Sequence, residues 1–112
     1  TRFNNDSGSN YSNTNLYGSG SAAISGRDTS VNSSYPLNWY TTFDNTLIMN
    51  IQNYSNTTTY KTYLARGGNA GNYVWASACL WRSTAAITSI TILSFQTFST
   101  GSTFTLYGIL KA

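Results

Sequence analysis

The run TLIMNIQNYSNTTTYKTYLARGGNAGNYVWASACLW, residues 46–81, decides the fold class. In its first part, 46–54, Leu47, Met49 and Ile51 recur at every second position, which predicts a strand with those three turned inward. In 57–65, Tyr60, Thr62 and Leu64 alternate with Lys61, Tyr63 and Ala65. SNTT, residues 55–58, reads as the hairpin loop between these two strands. RGGNAGN, residues 66–72, reads as a Gly-rich turn, and YVWASACLW, 73–81, as the next strand.

The same texture extends in both directions. Downstream, AAITSITILSF, 85–95, and STFTLYGIL, 102–110, have strand character. In the latter, Phe104, Leu106, Gly108 and Leu110 share one side, and Thr103, Thr105, Tyr107 and Ile109 the other, so a strand paired on at least one side is predicted. Upstream, PLNWYTTF gives a strand after Pro36. The Asn-, Ser- and Gly-rich start suggests short strands near 11–17 and 21–25 joined by turns, with 1–20 as an alternative extended arm. No window carries apolar residues at helical spacing among good helix formers. The expected fold is therefore all-β: one antiparallel β-sandwich domain over 1–112, jelly-roll-like, with about seven or eight short strands.

Composition narrows the function. Only 8% of the residues are charged, no His or Glu occurs, and Asp6, Asp28 and Asp44 lie far apart among turn residues. That inventory offers neither a nucleophile–base pair nor the facing carboxylates of glycoside hydrolysis, so no catalytic residue is assigned. One Cys and no His argue against zinc, and Asn4–Asn10, with Asp6, Ser7 and Asn10 around Gly8, has a faint calcium-loop likeness but lacks further carboxylates; no metal or cofactor is expected. The six cations are scattered, which argues against nucleic acid. No stretch reaches the roughly 18 apolar residues of a membrane-crossing helix. Cys79, flanked by Trp75, Leu80 and Trp81, is expected to be buried and reduced.

Nine Tyr and three Trp are a surplus for so small a core. Such residues bring contact area with a polar tip to interfaces, and they also stack on sugar rings. Phe3, Tyr11, Tyr17, Tyr54 and Tyr63 are the candidate contacts to a protein partner or a glycan.

WRSTAAITSITI, 81–92, followed by FSTGSTFTLYGI, 98–109, resembles the C-terminal end of small tailed-bacteriophage virion proteins and tail-fibre modules. There an Ala-Ile-Thr-x-Ile strand precedes a Gly-Ser lead-in and a Leu-Tyr-Gly-Ile closing strand. NDSGSNYS, 5–12, and IQNYSNTTTYKTYL, 51–64, look like the matching earlier segments, while 16–45 lies outside the resemblance. The resemblance implies a non-enzymatic β-sandwich on the virion surface, either capsid decoration or a tail-fibre or tail-tip module. Its partners would be identical copies and other virion proteins. The alternative is a carbohydrate-binding module facing a host-surface glycan. The two differ in where exposed aromatics fall: one shallow patch beside Asn or Asp for a lectin, a spread along a flank for assembly.

Overall fold

The computed structural model describes residues 1–36 and 42–109. Among the described residues there are seven strands: β1 (Arg2–Phe3), β2 (Tyr11–Gly18), β3 (Ala23–Val31), β4 (Asn45–Ile51), β5 (Lys61–Asn69), β6 (Tyr73–Trp81) and β7 (Ile90–Thr91). They form a five-stranded sheet in the order β3-β2-β6-β5-β4 and a two-stranded ribbon, β1-β7. Every pairing is antiparallel, and no helix occurs among the described residues. The all-β antiparallel expectation therefore holds.

The large sheet joins two locally folded units. β4, β5 and β6 make a meander, and β2 and β3 a hairpin. Side chains close the turns. Asn56 Oδ1 accepts the backbone N–H groups of Thr58 and Thr59 at 2.7 and 2.8 Å in the β4–β5 loop. Asn69 Oδ1 accepts the Gly71 N–H at 2.8 Å before β6. The units meet where β2 lies beside β6, with Tyr11 opposite Trp81 and Tyr17 opposite Trp75. Residues in the predicted Gly-rich turn prove to be strand: β5 runs on to Asn69, which leaves only 70–72 to turn. Gly67 and Gly68 serve strand packing instead. A Cβ on Gly67 would run into the Thr46 carbonyl oxygen, and one on Gly68 would sit 2.6 Å from that of Tyr73.

One face of the large sheet carries the core. Tyr11 from β2, Tyr63 and Ala65 from β5, and Cys79 and Trp81 from β6 are buried there, with Ile87 from the loop before β7. Phe3 from the ribbon closes over them. Its ring centre lies 5.5 Å from those of both Tyr63 and Trp81, and 6.5 Å from that of Tyr11. Edge and tilted contacts of this kind add to the burial of four large rings. Polar groups on the same face are largely satisfied. Asn15 Oδ1 accepts from Ser77 Oγ at 2.7 Å, and Ser77 Oγ accepts the Trp75 indole N–H at 2.7 Å. The Lys61 ammonium, on a fully buried residue, donates to the Thr59 and Thr84 carbonyls at 2.8 and 3.1 Å. Asn13 Nδ2 alone among the described buried side-chain atoms has no partner.

Three expectations change. The start is not an arm: Phe3 and Tyr11 are core residues, and β2 pairs on both sides. Its polar sequence hides this because Asn13 and Asn15 occupy inward positions. Only Ile90–Thr91 of the run 85–95 forms a strand. Its partner β1 ends where Asn4 and Asn5 take positive φ (52° and 57°) and turn the chain away. The predicted closing strand, over its described part 102–109, has no ladder partner among the described residues. Alternation assigns sides to residues but does not supply a neighbour. The strand expected after Pro36 falls mainly on 37–41, outside the described residues.

Candidate interface surfaces

Of the five predicted contact residues, Phe3, Tyr11 and Tyr63 are buried and cannot meet a partner. Their polar groups are used internally. The Tyr11 hydroxyl accepts the Phe3 N–H at 2.9 Å, and the Tyr63 hydroxyl hydrogen-bonds to Ser34 Oγ. Tyr17 is half-buried and stacks on Trp75 with ring centres 4.5 Å apart. Only Tyr54 is well exposed, in the β4–β5 loop. The register places Tyr17 and Tyr54 at opposite ends of the large sheet, so they form no common patch.

The reactive groups are locked into the fold. Burial pushes the Cys79 thiol up to about 11, against smaller opposing effects of its hydrogen bond with Tyr63 and of a nearby positive charge. Burial likewise raises the Tyr63 phenol well above its ordinary value. Cys79 forms no disulfide and is buried, as its apolar flanks predict. A bulky thiol reagent at neutral pH is expected to label it only after denaturation. Rapid labelling of the folded protein, read by mass spectrometry, would contradict this placement.

Asp6 closes a turn and anchors the core edge. Its carboxylate accepts the Gly8 N–H at 2.8 Å, Asn10 Nδ2 at 2.9 Å and the Trp81 indole N–H at 2.7 Å. Burial alone would raise its pKa, but the hydrogen bonds from Trp81, Asn10 and Gly8 outweigh that and hold it below the ordinary 3.8. The predicted turn role is thus what the geometry displays. No group of three or more His, Cys, Asp or Glu that could hold a metal occurs among the described residues.

What remains is surface of an unusual kind. The outer face of the large sheet carries Leu16, Ile48, Leu64 and Val74, each 52–65% exposed, on a floor of Ala76, Ala78 and Gly68 with surrounding Thr and Ser. The register brings Leu16, Ala76, Arg66 and Ile48 into one row across β2, β6, β5 and β4, and Thr14, Ala78, Leu64 and Asn50 into the next. Arg27 and Arg66 lie on this face, and the Arg82 guanidinium reaches its edge, donating to Ser12 Oγ at 2.6 Å. The long edge strand β3 is exposed along nearly its whole length. Sequence reasoning missed the face because it fixed on aromatics. The aliphatic residues at alternate positions, Leu16, Ile48, Leu64 and Val74, were the available signal.

A second surface lies along the C-terminal segment. Phe95, Phe98, Phe104, Leu106, Tyr107 and Ile109 are all exposed. Leu47, Met49 and Ile51, on the inner side of β4, line one wall of a cleft of about 700 Å³. The residues from Gln96 to Leu106 line the other wall, and Ile90 and Ile92 also border it.

Fold and surfaces together define an all-β module with exposed aliphatic residues on its outer sheet face and an apolar C-terminal segment that has no ladder partner among the described residues. Protein-family models, curated proteins and solved structures contain no match to this chain.

Proposed function

We propose that this chain is a non-enzymatic structural protein of the outer surface of a tailed-phage virion, a capsid decoration or a tail-fibre or tail-tip module. It works through contacts with identical copies and other virion proteins. The virion setting rests on the resemblance of 81–92 and 98–109 to such proteins. The mode of action rests on one observation: a sheet face where Leu16, Ile48, Leu64 and Val74 stand in solvent among Thr and Ser, with Arg27, Arg66 and Arg82 as its charges. Exposed apolar patches beyond a few hundred Å² mark interaction sites. A net charge of +3 does little to keep copies apart.

The carbohydrate-binding reading has less support. Among the described residues, the exposed aromatics are spread over Phe43, the β4–β5 loop and the C-terminal flank rather than gathered in one shallow patch. Trp75 and Trp81 are half-buried and buried, respectively.

Native mass spectrometry and light scattering over a concentration series test the assembly reading. Oligomers are expected at micromolar concentration. Leu64→Lys with Val74→Lys should weaken association with an outer-face partner while leaving the far-ultraviolet spectrum unchanged, since both side chains point to solvent. A chain that stays monomeric at all concentrations, and binds no co-purified virion protein, would count against the proposal. Glycan-array binding would transfer support to the lectin reading.

A further inference from the structure

Strand β4 has one bonded edge and one open edge. Its neighbour is β5, and no other strand pairs with it among the described residues. The register tells which backbone groups are left over. Just past the end of β4, the Gln52 N–H donates to the Thr62 carbonyl at 3.2 Å. Bonded and non-bonded pairs alternate along an antiparallel ladder, so Asn50, Ile48 and Thr46 bond β5 in the same way. The N–H and C=O groups of Leu47, Met49 and Ile51 therefore point to the open edge, and no described residue hydrogen-bonds to them there.

The side chains of the same three residues wall the cleft of about 700 Å³ on the inner side. The facing wall, from Gln96 to Leu106, belongs to this chain, so the groove already has two sides and the space between them is unfilled. Its volume falls within the roughly 300–1,000 Å³ of pockets that enclose ligands. From Leu47 to Ile51 the open edge runs about 14 Å at about 3.4 Å per residue, the length of a five-residue strand. Asp44, exposed just before β4, is the one charged residue among those lining the cleft. The other open edge, β3, presents Arg27 and Asp28, and charges of that kind blunt a sheet edge against strand addition.

We propose that this groove receives an uncharged segment of another virion protein, added as an antiparallel strand along Leu47–Ile51. This rests on the reading of the chain as working through protein contacts, and names the chemistry of one partner segment. Residues of that segment opposite Ile51, Met49 and Leu47 enter the cleft and are apolar, while those between them face outward and are small and polar. The antiparallel direction brings the segment's C-terminal end to the start of β4, where a Lys or Arg meets Asp44. Strand addition of this kind takes affinity from the backbone ladder and specificity from the pockets.

The test is amide hydrogen exchange of the full chain, read by NMR, with the synthetic peptide acetyl-Val-Thr-Val-Thr-Val-Thr-Lys-amide as the probe. The Ile48 and Asn50 amides, bonded to β5, should exchange slowly throughout. Those of Leu47, Met49 and Ile51 should exchange fast in the free chain and at least about tenfold more slowly under saturating peptide, with a Kd of about 1 mM or below. Asp44→Asn should weaken that binding about two- to fivefold and leave binding of a peptide with Ser in place of Lys unchanged. Equal binding of the Lys peptide to both chains would overturn the match to Asp44. Slow exchange at 47, 49 and 51 without peptide would overturn the proposal: at every concentration it would mean that this chain's own segment covers the edge, and only at high concentration that a second copy does. No slowing at millimolar peptide would also overturn it. If Leu64→Lys with Val74→Lys still weakened association, the outer-face reading would stand; a chain that neither binds the peptide nor associates would refute both.

Discussion

Deleting residues 1–20 is expected to abolish the fold. β2 is an interior strand, with β3 on one side and β6 on the other, so its loss strands β3 altogether and bares an edge of β6. Phe3 and Tyr11 leave with it, and each is fully buried. Burial of one such side chain contributes roughly 1.5–3 kcal/mol, against a total stability of about 5–15 kcal/mol for a domain. The ladder bonds of β2 and the cover over Tyr63 and Trp81 are lost in addition. The truncated chain should show no cooperative thermal transition and should expose its tryptophans to quenchers. If it melted cooperatively and kept its β-spectrum, the start would be an appendage after all and the buried position of Phe3 would be wrong. The shorter change Phe3→Ala isolates the ribbon's contribution and should cost about 3–5 kcal/mol.

Trp81→Ala is expected to have the largest effect of any single substitution. The ring is buried between Phe3 and Tyr11, with the Tyr11 ring nearly parallel at 6.3 Å. Emptying such a site costs about 3–5 kcal/mol. For a chain of this length, each kcal/mol lowers the melting temperature by about 4–8 °C, so the variant should be largely unfolded at 37 °C if the parent is of ordinary stability. Trp81→Phe separates packing from the polar contact. It keeps an aromatic ring but removes the indole donor to Asp6, so a loss of about 1–3 kcal/mol is expected. A calorimetric change near zero for Trp81→Ala would remove this residue from the core.

The same pair gives a pH dependence. The Asp6 carboxyl has a depressed pKa in the folded chain. Its stabilising contribution is therefore complete above the ordinary carboxylate value of 3.8 and is lost as pH falls through the lower folded value. Because Asp6 is partly solvated, the effect is modest. Trp81→Phe removes one of the hydrogen bonds that hold the pKa down. The acid limb of the melting-temperature profile should then be shallower below pH 4. An unchanged limb would mean that other carboxylates set it.

Local pattern carried much of the fold. YVWASACLW begins and ends where β6 does, because its apolar and small residues alternate between two turn-rich segments. Leu47, Met49 and Ile51 face inward as their spacing required. Cys79 follows from its bulky neighbours, and the turn at Asp6 from an Asp–Ser–Gly run whose carboxylate sits within reach of backbone donors. In each case the deciding interactions are short-range: the two-residue repeat of a strand or a side chain bonding a nearby N–H.

Pairing decided everything else. Phe3 and Tyr11 look peripheral in an Asn- and Ser-rich sequence. They are core because β2 docks beside β6, and the ribbon β1-β7 then brings Phe3 over Tyr63 and Trp81. Asn13 and Asn15 gave a polar signal at inward positions, and Asn15 is met there by the Ser77 hydroxyl, 62 residues away. The run 102–110 shows the converse: it has a strand's alternation, yet its described residues have no ladder partner. Sequence period determines which side chains share a face. Which strand lies alongside, and hence which face meets solvent, depends on backbone hydrogen bonds between distant segments. Those bonds use groups that every residue but proline carries, so the side chains leave little trace of the choice.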